Sequence, residues 1–192
     1  MISLEISNVR TFMSRLLMQD VFDTFDVVEA SVSSFCNFEI SGRANSAWFA
    51  PPAEARTASP AEEPDNSRQT ADAPENGSNT PRLISWKKLR PYVWNVIRGE
   101  KTPLKMKIIL ACAPQQITQI LRTDPACSGI RPDQVSGMFL NITFDKAGLF
   151  LTTGTAMKTF SMDRSAENAF DKAMSSFLSK IGIESDSSAH LN

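Results

Sequence analysis

The chain has 192 residues, 42% hydrophobic and 21% charged, the composition of a globular protein with one main core. Its formal net charge of −1 excludes a globally basic nucleic-acid binder and a strongly acidic tail protein, but leaves room for local segregation of charge. Three widely spaced cysteines, Cys36, Cys112 and Cys127, form no C-x-x-C pair, so neither a disulfide framework nor a zinc site is indicated and a reducing cytoplasm is the expected compartment.

The first residues lack the basic segment and apolar run of a signal peptide, and no stretch approaches the roughly 18 apolar residues of a membrane span. A membrane partner is therefore not expected. Ile2, Leu4 and Ile6 alternate with polar residues and predict a short strand. Ser7 is the expected N-cap of an amphipathic helix carrying Val9, Phe12, Met13, Leu16 and Leu17, with Arg10 and Arg15 on its other side. A strand follows, with Val28, Ala30 and Val32 on one face and Val27, Glu29 and Ser31 on the other. A second strand is expected over 35–40.

Between 44 and 81 lie six of the chain's eleven prolines, among Ala, Ser, Thr, Asn, Asp and Glu, a composition that cannot bury a core. This segment reads as a disordered insertion within one domain made of 1–43 and 82–183. Only Trp48 and Phe49 at its start are large and apolar, and they are expected to pack back on that domain. Order resumes with Trp86, Leu89, Val93 and Ile97 at helical spacing, where Pro91 should kink the helix or begin a second one. In the next strand Leu104, Met106, Ile108 and Leu110 point inward and Lys105 and Lys107 outward. A short helix over 114–121 and a loop over 123–134 lead into a hairpin over 138–153, and a further extended segment is expected over 155–160. The last helix carries Phe170, Met174, Phe177, Leu178 and Ile181 on one stripe, and 184–192 is expected to be a flexible tail. The predicted architecture is α+β: a mainly antiparallel sheet with about four helices packed on it.

The chemistry that is missing narrows the function. One histidine, His190, in the expected tail makes a Ser-His-Asp or Cys-His apparatus untenable, and neither phosphate-cradling glycine motif is present. No cofactor is implied, and the balance points away from an enzyme. Asp20, Asp23 and Glu29 are a weak candidate metal set for a divalent-metal nuclease or phosphotransferase, against the plain reading that they are solvated. Thr152, Thr153, Thr155 and Lys158 would suit a phosphate, although threonines also simply favour strands.

The strongest signal is charge. Residues 82–107 carry eight cations against one carboxylate, a local net of +7 that leaves −8 on the rest of the chain. Lys87, Lys88, Arg90, Arg98, Lys101, Lys105 and Lys107 are interleaved with Trp86, Tyr92 and Trp94, the pattern of a face that neutralises phosphates and stacks bases. The expected function is a non-enzymatic module binding an anionic partner, nucleic acid first, with a protein-interaction domain for an acidic partner as the alternative. Oligomeric state is not encoded in any of these features.

Several segments, among them Phe12-Met-Ser-Arg-Leu-Leu17, Trp86-Lys-Lys-Leu-Arg-Pro91, Ile97-Arg-Gly-Glu-Lys-Thr-Pro103 and Thr152-Thr-Gly-Thr155, resemble a bacterial, Firmicutes-type uncharacterised family, the domain of unknown function 5721. The resemblance spans nearly all of the chain outside 44–81 and implies a cytoplasmic, single-domain organisation. It implies no activity, cofactor or site residue.

Overall fold

The computed structural model describes residues 1–45, 48, 82–99 and 101–187. Contacts divide the chain into one unit of Met1–Arg43 with Leu83–Asn192 and a second of Ala44–Arg82. In the second, the Ala44 amide donates to the Arg82 carbonyl at 2.8 Å, and Trp48 is 84% exposed, which corrects the expectation that it packs inward. Phe49 and the rest of the expected insertion lie outside the described residues.

The first unit is α+β. Its strands are β1 (Ser3–Ile6), β2 (Phe25–Ser33), β3 (Asn37–Ser41), β4 (Ile84–Ser85), β5 (Lys105–Cys112), β6 (Val135–Asp145), β7 (Gly148–Met157) and β8 (Ser185–Ser187). Its helices are α1 (Val9–Met18), α2 (Trp86–Ile97), α3 (Pro114–Thr123) and α4 (Ser165–Lys180). The strands form a single sheet in the order β3-β2-β5-β6-β7-β1-β8, with β4 also pairing β2, and the pairings between these strands are antiparallel. Ser185–Ser187, expected in the flexible tail, pairs with β1; 188–192 lie outside the described residues.

Alternation makes the sheet one-sided. Met106, Ile108 and Leu110 of β5, Met138, Leu140 and Ile142 of β6, and Leu149 and Leu151 of β7 are buried in one core with Phe12 and Leu16 of α1, Trp86 and Val93 of α2, Ile117 of α3 and Phe170 of α4. Residues two apart on a strand share a face, so all four helices cover the same side. The opposite side presents Glu29, Lys105, Lys107, Asn141, Thr143 and Thr152, none of them fully buried.

Several details depart from the periodicity read in the sequence. A β-bulge between Val27 and Glu29 inserts a residue, so Val27 shares the buried face with Ala30 and Val32, and Val28 does not. Beside the bulge Gly42 admits a close approach, since a Cβ there would lie 1.7 Å from the Val27 carbonyl oxygen. The N-cap of α1 is Asn8, whose Oδ1 accepts the Thr11 amide at 3.0 Å, rather than Ser7. β5 begins at Lys105, leaving Leu104 exposed instead of inward. Gly154 does not break β7, because it pairs opposite Phe139 and the strand runs on to Met157.

Candidate functional site

Charged residues singled out in the sequence are separated by the sheet. Lys105 and Lys107 alternate with the buried Met106 and Ile108, so they project from the side opposite the helices. There Lys107 Nζ meets Glu29 Oε1 at 3.5 Å across neighbouring strands. Lys87 and Lys88 are exposed on α2 and Arg98 just past its end, on the helix side. Arg90 is committed to structure: it donates to the Gln19 carbonyl and lies 3.0 Å from Asp23 Oδ1, an oxygen that accepts no directed hydrogen bond. One surface therefore does not hold all seven cations.

That division also dissolves the acidic candidate. Asp23 faces Arg90, Glu29 faces Lys107, and Asp20 is exposed. Among the described residues no three His, Cys, Asp or Glu side chains come together as a metal site. The threonines are split by strand alternation as well. Thr152 projects to the open side, where its Oγ1 accepts from Asn141 at 3.3 Å. Thr153 is buried, accepting the Ile2 amide at 2.9 Å and donating to Asp171. Thr155 and Lys158 line a cleft of about 340 Å³, to which Thr152 and Thr153 do not contribute. Asp163 in that cleft is held below the usual carboxylate range by hydrogen bonds from Ser165.

The aromatic residues of the basic segment have three fates. Trp86 is fully buried and its Nε1 donates to the Leu16 carbonyl at 3.0 Å, satisfying one of the last carbonyls of α1. Tyr92 is exposed on the outer stripe of α2. Trp94 is half-buried and forms part of the wall of a larger cleft.

This cleft has a volume of about 600 Å³. α1 supplies Met13, Leu17 and Met18 to it, the end of α2 supplies Trp94 and Ile97, and Met106 and Phe144 of the sheet close its floor. Met106 is only 3% exposed and Phe144 half-buried, so the sheet contributes chiefly Phe144 to the surface of the cleft. Arg10, Arg98 and Lys101, all exposed, stand on its rim. No carboxylate is found among the described lining residues. A cation at the edge of an apolar, weakly hydrated wall acts on an anion through a lower effective dielectric than one in open water.

Sequence reasoning found Trp94, Arg98 and Lys101 but missed Arg10, Met13, Leu17, Met18 and Phe144. A signal was present. The apolar surface of α1 is wider than one stripe: Phe12 and Leu16 face the core while Val9, Met13 and Leu17 continue it round one flank.

Fold and site together define a class: an α+β protein whose antiparallel sheet is covered on one side by four helices, two of which flank a cation-rimmed apolar cleft. The model of the Family of unknown function DUF5721 matches residues 15–186, and the chain belongs to that family. The matched span takes in α2 and the 99–103 segment that carry most of the rim, but not Arg10. No curated protein and no solved structure matches the chain. No described helix is long and apolar enough to cross a membrane.

Proposed function

We propose that this protein is a non-enzymatic binding module of the bacterial cytoplasm that receives an anionic partner at the cleft between α1 and α2. The observation that carries this reading is the rim: Arg10, Arg98 and Lys101, all exposed, stand around an apolar wall. Charge-assisted hydrogen bonds contribute about 1.5–3 kcal/mol each, so two rim cations are worth at least a tenfold difference in affinity.

Anilinonaphthalenesulfonate, an anion with an apolar body, is the probe for this reading. Its fluorescence titration should give saturable binding that weakens at least about tenfold in Arg98→Glu with Lys101→Glu. Equal affinity in the wild type and the double variant would overturn the proposal.

A second reading, nucleic-acid binding, draws on one separate observation: Lys87, Lys88 and Tyr92 are all exposed along α2. Such a stripe suits a phosphate backbone with one ring for stacking. Binding of labelled single-stranded DNA should then fall linearly in log affinity with log salt, with a shallower slope in Lys87→Glu with Lys88→Glu. Absence of binding at low salt would remove this reading and leave the cleft untouched.

A further inference from the structure

We infer that the occupant of the α1–α2 cleft is a single-chain amphiphile, an unbranched aliphatic tail ending in a carboxylate or phosphate. This inference rests on the anion-binding reading above and deepens it. Three features of the cleft select this chemistry over a partner protein or a nucleic acid.

The first is the inner wall. Phe144, half-buried at the end of β6, forms the floor, with the small exposed part of Met106 beside it. An α-helix with its side chains is about 10–12 Å across, whereas a polymethylene chain is thin enough to lie along Phe144 and the side chains of α1. The second is size. The lining runs along α1 from Val9 to Met18, nine residue steps or roughly 13 Å at about 1.5 Å each. The volume of about 600 Å³ falls within the roughly 300–1,000 Å³ of sites that enclose small ligands.

The third is the arrangement of polarity. Met13, Met18 and Met106 supply flexible, polarizable walls that adapt to an aliphatic guest. The cations stand at the rim, which matches one charged head left at the surface above a buried tail. A nucleic acid distributes its charge along a polymer and offers no chain to lie along the inner wall. Lys101 and Thr102 both belong to the same rim, so the head would meet hydrogen-bond donors as well as charge.

Displacement of anilinonaphthalenesulfonate by a series of alkyl carboxylates from hexanoate to dodecanoate, each below its micellar concentration, tests the inference. Affinity should tighten about fourfold with each added methylene until the tail reaches the floor, following the transfer of about 0.8 kcal/mol per buried CH₂. Arg98→Glu with Lys101→Glu should weaken every member of the series at least tenfold, and dodecyltrimethylammonium, with the opposite head, should not compete. Ser14→Phe places a ring in the cleft from a half-buried position. It should abolish displacement while leaving the melting temperature within a few degrees, which separates blocking from misfolding. Alkyl phosphates run in parallel decide between the two heads by which series binds more tightly.

If the probe binds in a charge-dependent way but no alkyl anion competes, the amphiphile is wrong and the anion-binding reading survives. Competition by an acidic amphipathic peptide, without competition by dodecanoate, overturns the amphiphile in favour of a protein partner. Affinity independent of chain length overturns it as well. Charge-independent probe binding overturns both the inference and the reading beneath it.

Discussion

Cys112 sits at the end of β5 on its buried face, where loss of water and then the nearby carboxylate of Asp26 push its thiol up to about 12. Cys127 is also buried and raised, first by desolvation and then by Asp124 and Asp163. Cys36, at the tip between β2 and β3, is exposed. Because the thiolate is the reactive species, iodoacetamide at pH 8 should modify Cys36 first, and Cys112 only after unfolding. Peptide mapping by mass spectrometry gives the order, and comparable labelling of Cys112 in the native protein would contradict its burial. The sign for stability follows from the same shift. The folded state holds the Cys112 proton more tightly than the unfolded state, so this contribution is complete below the ordinary value of 9.0 and is lost as pH rises toward 12. Trp86 makes the other single-residue link of consequence, joining α2 to the last turn of α1 through its indole nitrogen. Its place in the core followed from helical spacing, whereas its hydrogen-bond partner, 70 residues away, did not.

At the scale of elements, α2 carries an internal contradiction. Pro91 is the sixth residue of the helix, yet Trp86–Ile97 is uninterrupted and neither ends nor restarts there. Proline supplies no N–H to the carbonyl four residues back, here that of Lys87, and its ring crowds that carbonyl. The side chain of Pro91 is exposed and contributes no core packing to offset this. Pro91→Ala should therefore stabilise the fold by about 1–3 kcal/mol, the helix gain of about 3 being reduced by the greater freedom of the unfolded alanine chain. A higher urea midpoint with unchanged slope is the expected result; a lower midpoint would show that the proline shapes α2 favourably. α1, α2 and α4 were legible in the sequence because each carries an amphipathic stripe that survives any tertiary context. β4 and β8 were not, since two or three residues hold no periodicity and their order comes from pairing with β2 and β1. The bulge in β2 was equally hidden: it changes which valine faces inward without leaving a mark in the alternation.

Across the whole molecule, the one-sided sheet determines which charges act together. The net of +7 over 82–107 was visible in the sequence, but a strand that follows a helix can present its polar face on either side of the sheet. In this fold Lys105 and Lys107 share the open side with Glu29, while Arg98 and Lys101 stand on the helix side with Arg10, brought there from a segment far away in the chain. The sheet stands between Lys107 and the cleft, and exposed charges farther apart than the screening length of about 8 Å at physiological salt act on one another only weakly. A ligand in the cleft should feel one group and hardly the other. Lys105→Gln with Lys107→Gln should change anilinonaphthalenesulfonate affinity by less than about twofold at that ionic strength, against at least tenfold for Arg98→Gln with Lys101→Gln. Glutamine avoids setting a second carboxylate beside Glu29, so any change reports on the ligand and not on repulsion within the sheet. Lowering the salt to about 10 mM lengthens the screening distance to roughly 30 Å and should make the open-face pair felt. If both pairs matter equally at physiological salt, the anion is held by a surface that passes round the sheet edge, and the cleft is only one part of it.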